Sequence, residues 1–283
     1  MRSMPQATST ARRTKGAAAF SNALRGALAT ARMGAAGTLA GWPVLLGRGG
    51  FYVVAMCVMA ALWDTVAGQR VPGALALPAG GLVIYVGVTE WIMMSIPAIH
   101  LRLEDDIRSG ALEAHLLRPK LYLAQKIAET VGGLVARTSV IAVTAVLLLL
   151  ASGRATPSLA ALAAIAALGF GGGVVTVLLY AVTGLSAFWI RRTLPVYLIV
   201  QKMLFLLGGL FAPVSLYPPW LRTLSEASPF AAALYWPGVQ ALTPSAPLFW
   251  RGLGLQALWI GVLSVLAALV WGAGVRKILR QGV

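Results

Sequence analysis

Acidic side chains are few in this sequence and unevenly placed. Of eight in 283 residues, four (Glu104, Asp105, Asp106 and Glu113) fall in one polar stretch from His100 to Lys120, and Glu90 lies inside an apolar run. An ionised acid at mid-bilayer costs roughly 2.5–3.5 kcal/mol. Glu90 is therefore expected to face a bundle interior and a basic partner, with Arg137 and Lys202 as candidates. A structural ion pair and a place on a translocation path are the two uses open to Glu90, Arg137 and Lys202. Glu129, flanked by Lys126 and Arg137, fits the membrane edge, where a basic chain snorkels to water.

The remaining chemistry is thin. Two histidines and one cysteine supply no metal site, and no G-x-x-x-x-G-K-[ST] is present, so the chain has no phosphate-binding P-loop of its own. Gly184-Leu185-Ser186-Ala187 is faintly like a membrane serine protease. Both histidines, His100 and His115, lie in or beside the polar stretch, so no later span supplies the base a serine nucleophile needs. Cys57, in an apolar run, is expected to be a small buried hydrophobe.

The elements that carry these residues are apolar helices. Hydrophobic residues make up 59% of the chain and charged ones 11%, with a mean hydropathy of +0.81. A soluble domain carries roughly 25% charged residues, so the bilayer must be the solvent for this chain. The expected fold is an all-α polytopic membrane protein with about six transmembrane helices, at about 51–66, 75–99, 121–151, 157–190, 194–210 and 253–275. Residues 1–19 have the composition of a disordered basic tail, and residues 20–283 form a single transmembrane domain. Phe20, Leu24 and Leu28 recur every four positions with Arg25 and Arg32 between them, the pattern of a helix lying in the membrane interface. Gly171-Gly172-Gly173 is the expected flexible point of the long fourth span. The tryptophans fall mostly near span ends, as in an interfacial belt.

A net charge of +15 would suggest nucleic acid in a soluble protein. Here the cations cluster between apolar runs, and the positive-inside rule accounts for them instead. With the N-terminus cytoplasmic, the inner side collects the N-terminal arginines, the His100–Lys120 loop, Arg191-Arg192 and the cluster Arg276, Lys277 and Arg280. The outer side receives only Arg70, Arg154, Arg222 and Arg251. Both termini are therefore expected in the cytoplasm.

Within the polar stretch, Ser109 is placed to cap a short helix over Gly110–Leu117, with Glu113 in its first turn. Arg118-Pro119 ends it, because a residue before proline is pushed out of the α region. Leu112 and Leu116, four apart, share a face, and such a helix could plug into a soluble partner. A solvated connecting loop is the alternative.

Two motifs resemble a known family. Asp106-Ile107-Arg108-Ser109-Gly110, followed by Leu116-Leu117-Arg118-Pro119, resembles the loop signature of permease subunits of type-2 ABC transporters, in the branch that pairs with a second permease and a separate ATPase. Pro213, Pro218, Trp220, Ser228-Pro229-Phe230 and Pro237 are similar to that branch's extracytoplasmic segment after the fifth span. Arg48 and Leu62-Trp63 fit more weakly, and the longer N-terminal tail departs from the pattern.

The resemblance implies a subunit that pairs with a second permease, homologous or identical, and binds two ATPase subunits, most simply as an exporter in a bacterial inner membrane. The loop helix would be the coupling helix, carried by Asp106, Arg108, Ser109, Gly110, Leu112, Glu113, Leu116, Leu117, Arg118 and Pro119. The segment with Pro213, Pro218, Trp220, Pro229, Phe230 and Pro237 would form re-entrant helices gating the outer side. ATP and magnesium would sit on the partner ATPase, with no cofactor on this chain. An ion-gradient-driven secondary transporter is the alternative, for which Glu90 is the sole support.

Overall fold

The computed structural model describes residues 25–68, 80–112, 119–153 and 157–280. The described residues are mostly helical, without strands. A helix over 25–40 (α1) leads into α2 (Trp42–Gly68), followed by α3 (Gly81–Ser95), α4 (Ile99–Arg108), α5 (Pro119–Ala151) and α6 (Leu159–Leu185). Then come α7 (Leu194–Leu207), the short helices α8 (Pro219–Ala227), α9 (Pro229–Ala233) and α10 (Tyr235–Leu242), and the long α11 (Ala246–Arg280).

Five stretches are long and apolar enough to cross a membrane: Trp42–Trp63, Gly81–Arg108, Tyr122–Ala151, Leu159–Phe188 and Ala246–Arg280. The expected fifth span is shorter than its sequence implied. Its 14-residue helix, α7, is about 21 Å long at ~1.5 Å per residue, because Gly208 and Gly209 end it, the latter at φ 66. The first span is longer than expected. Arg48-Gly49-Gly50 does not mark its entry but lies within α2, where Arg48 Nη1 donates to the Met94 carbonyl at 2.7 Å.

Helix α6 is the hub, packed against α11, α4, α10, α5 and α9. Its glycine run shows why. Gly171-Gly172-Gly173, expected as a flexible point, lies in unbroken helix. A Cβ at Gly172 would stand 2.0 Å from the Ala233 carbonyl oxygen, one at Gly173 2.9 Å from Leu134, and one at Gly171 2.1 Å from Gln256 Oε1. The run is a seam that lets neighbouring helices close in, as small residues do between membrane helices. A second seam joins α1 to α5, where a Cβ at Gly132 would lie 1.8 Å from the Ala31 carbonyl oxygen. Of the residues expected to stripe an interfacial helix, Phe20 and Leu24 lie outside the described residues, as does the tail over 1–19, and Leu28 is exposed on α1.

Two side-chain expectations change. Trp42, Trp220 and Trp250 are exposed, but Trp91, Trp236 and Trp271 are core residues. Trp91 Nε1 donates to the Thr138 carbonyl at 2.9 Å, which a buried indole requires. Cys57 is exposed on α2 rather than buried, lining an open apolar cavity between α2, α3, α5 and α6.

Candidate functional site

The polar stretch after the second span is built on α4, which Pro97 separates from α3. Ile96, before the proline, takes extended geometry as expected. The chain then re-enters a helix whose buried side, Ile99, His100, Leu103 and Glu104, lies against α6. Gly184 permits that approach, since a Cβ there would meet the His100 Cα at 2.8 Å. The His100 ring stacks on Tyr197 of α7 at 4.0 Å, and Tyr180 of α6 meets its edge at 5.3 Å. Ser186 donates to the Thr183 carbonyl at 2.6 Å and makes no bond to His100, so no serine–histidine pair forms.

Two acids of this stretch act as pins. Glu104 Oε2 accepts from the Thr193 amide at 3.0 Å and from the Thr193 hydroxyl, so a carboxylate sits at the start of α7, where the helix dipole favours it. Its other oxygen faces Arg108 at 3.4 Å and Arg192 at 3.9 Å. Asp106 points the opposite way, to α5, accepting from the Tyr122 hydroxyl and pairing with Lys126 at 2.8 Å. Tyr122 in turn stacks on Trp271 of α11 at 5.1 Å. The loop base is thereby tied to α5, α7 and, through Tyr122, α11.

This geometry corrects the expected helix over Gly110–Leu117 in its described part. Asp106 and Arg108 belong to α4. Ser109 is the C-cap of α4, not an N-cap, donating its amide to the Asp105 carbonyl at 2.9 Å. Gly110 follows at φ 75, the left-handed conformation that commonly ends a helix. Ala111 and Leu112 form a turn, the Leu112 amide donating to the Asp106 carbonyl at 3.2 Å. Leu112 is 1% exposed and packs in the main core, so it anchors the loop to its own chain. Glu113, Leu116, Leu117 and Arg118 lie outside the described residues, and Pro119 opens α5.

The second motif surrounds α8, α9 and α10. Pro213 and Pro218 each precede a helical turn, and Ser228 caps α9 by accepting from the Ala231 amide at 3.1 Å, with Pro229 as first helical residue. Trp220 is exposed, Phe230 half-buried, and Pro237 lies buried in α10. Side chains from other helices satisfy the carbonyls freed by these breaks. Tyr85 donates to Gly209 at 2.6 Å and Thr89 to Leu210 at 2.8 Å. Gln256 Nε2 donates to Ala232 at 2.9 Å, and also to the Leu168 carbonyl within unbroken α6 at 2.8 Å. These donors carry no sequence motif; only their polarity within apolar runs marked them. Glu226 binds Arg222 at 2.7 Å and Arg251 at 3.3 Å, and the Arg251 guanidinium lies 4.6 Å above the Trp236 ring.

The three in-span charges are not brought together. Glu90 is buried on α3 but forms no ion pair among the described residues, so the expected pairing with Arg137 or Lys202 is not made. Arg137 donates instead to the Ile96 carbonyl at 3.3 Å, and Lys202 is exposed on α7, 5.2 Å from the Phe205 ring centre. Backbone and aromatic partners offset part of each cation's desolvation without a carboxylate.

No curated protein and no solved structure is significantly similar to the chain. A family model described as ABC-2 family transporter protein matches residues 79–282, a stretch holding the pinned loop and the α8–α10 segment. The chain therefore belongs to the ABC-2 transporter family, as a multi-pass membrane component of an ABC transporter.

Proposed function

We propose that the chain is an exporter permease of a bacterial inner membrane, with both termini cytoplasmic, working with two ATPase subunits and a second permease subunit. The observation that carries this reading is the double pinning of the loop base by Glu104 and Asp106. A push on residues 109–118 would move α4, α5 and the start of α7 as one body rather than bend a slack loop. Leu112 is committed to the core, so contact with the ATPase falls to Leu116 and Leu117, with Glu113 and Arg118 as the charged rim. Exposed rim pairs contribute roughly 0–1 kcal/mol, so the leucines dominate.

The second permease is placed against α7. Leu198, Ile199, Lys202 and Leu206 are exposed along this helix. A lysine facing lipid at that depth would cost a few kcal/mol, on the order of 3, so a partner subunit or the path between subunits covers it. The α8–α10 segment, with Pro213, Pro218, Trp220, Pro229, Phe230 and Pro237, is the outer gate. Its broken backbone is compatible with membrane depth because Tyr85, Thr89 and Gln256 supply the missing bonds.

Co-purification with a co-expressed ABC ATPase tests the reading. Leu116→Asp abolishes complex formation while membrane insertion is unchanged. Asp106→Asn keeps the complex but lowers transport per ATP hydrolysed, because the loop is unpinned from Lys126. Normal assembly and transport by Leu116→Asp overturns the coupling assignment, and transport that runs on an ion gradient without any ATPase overturns the whole reading.

A further inference from the structure

A cavity of about 290 Å³ opens beside the Pro97 bend, between α1, the start of α2 and α5. Thr38, Arg102, Glu129, Thr130 and Arg137 give it polar walls. Its charges do not balance. Glu129 is taken by Arg102 at 3.0 Å. Arg137 reaches only the Ile96 carbonyl, and its Nε is buried without a hydrogen-bond partner. Arg48, bonded to the Met94 carbonyl, adds a third guanidinium near enough to repel Arg137. Among the described residues no other acid pairs with Arg48 or Arg137, and residues 1–24, which lead into α1, contain none.

An unbalanced cationic cluster beside apolar helices is costly unless an anion completes it. The space for one exists. Gly37 borders the cavity, and a Cβ there would meet nothing within 4 Å. The mouth is open, since the side chain of Arg102 is 51% exposed. The guanidinium groups of Arg102 and Arg137, which line the cavity, are of the kind that matches phosphate oxygens with parallel donors. Basic pockets between membrane helices are where anionic headgroups lodge.

We propose that this cavity binds a phosphate group through Arg137 and Arg102, with Arg48 adding positive potential behind them, borne by an anionic phospholipid of the adjoining leaflet or by a water-soluble phosphate. Occupancy ties α1 to α5 and the Pro97 bend, the hinge region from which α4 and its loop depart.

The test uses the purified full-length chain in micelles containing equal phosphatidylglycerol and phosphatidylcholine, with retained lipid measured by native mass spectrometry. Wild type retains phosphatidylglycerol in preference. Arg137→Gln lowers that preference about fivefold, and Arg276→Gln, an exposed change on α11, leaves it unchanged. Gly37→Leu fills the cavity without altering charge or the helix, and abolishes the preference. It therefore decides the matter if Arg137→Gln fails to fold. Inorganic phosphate at millimolar concentration distinguishes the sources. Displacement of lipid together with stabilisation of lipid-free protein identifies a soluble phosphate, and no effect identifies the lipid headgroup. Equal retention of both lipids with no phosphate effect overturns the proposal, as does wild-type preference in a folded Gly37→Leu protein.

Discussion

Gly172→Ala separates two accounts of the glycine run in α6, because they predict opposite signs. If the run were a flexible point, alanine would stiffen the helix and stabilise the protein by about 0.5–1 kcal/mol. The structure requires the reverse. The new Cβ would lie 2.0 Å from the Ala233 carbonyl oxygen and 2.9 Å from its carbon. Ordinary contact begins near ~3.5 Å, so α9 must retreat by about 1.5 Å. Both contacting atoms are backbone, so no rotamer change relieves the clash. The Ala232 carbonyl, one residue away, is held by Gln256 at 2.9 Å, and that bond stretches as α9 moves. Overpacking of this kind costs about 1–3 kcal/mol, and a strained buried hydrogen bond adds about 1 kcal/mol. Thermal denaturation of the purified protein in detergent should show a midpoint lowered by on the order of 5 °C. Gly261→Ala on α11, where a Cβ meets nothing within 4 Å, serves as the clash-free control and should match or slightly exceed wild type. A Gly172→Ala protein as stable as wild type, or more so, refutes the seam and restores the hinge.

Gln256→Leu keeps the side chain's bulk but removes the donor to the Ala232 carbonyl and the second donor to the Leu168 carbonyl of α6. The expected loss is about 1–3 kcal/mol, read as a lower denaturation midpoint with unchanged membrane insertion; an unchanged midpoint would mean that water or lipid replaces the amide. In a Cys57→Ser background, needed because Cys57 is exposed, cysteines at Thr223 and Ser245 should react with an impermeant maleimide in intact cells, and one at Ser109 should not. Labelling at Ser109 would reverse the orientation.

The gross architecture was legible because a bilayer imposes it. Runs of apolar residues at 121–151 and 157–190 coincide closely with α5 and α6. Span ends were less legible where the signal was a single residue type. Arg48-Gly49-Gly50 looks like a membrane edge in one dimension, yet Arg48 is satisfied inside α2 by a carbonyl of α3, and Gly49 faces Thr144 across the α2–α5 contact. The tryptophans misled for the same reason. Trp91 and Trp271 stand in long helices that bury one face, and which face is buried depends on neighbours distant in sequence.

The site divides along a similar line. Its acids were visible as a cluster, but a cluster of carboxylates beside basic residues is equally consistent with a solvated rim, and their division of labour is written elsewhere in the chain. Glu104 is committed by Thr193 and Asp106 by Tyr122 and Lys126, partners 89, 16 and 20 positions away. Likewise the spacing of Leu112 and Leu116 places both on one face only if the helix exists around Leu112. Gly110 at φ 75 ends α4 first and turns Leu112 inward. The pins at Glu104 and Asp106, with Leu112 buried just beyond the glycine, make the base of the loop stiff, and stiffness there is what the proposed force-transmitting role needs. A mobile base would dissipate a partner's displacement in the loop itself. Under the proposed coupling to an ATPase, Glu104 and Asp106, bound to different helices, would share that displacement between α5 and α7 before it reached the broken helices beyond Gly209.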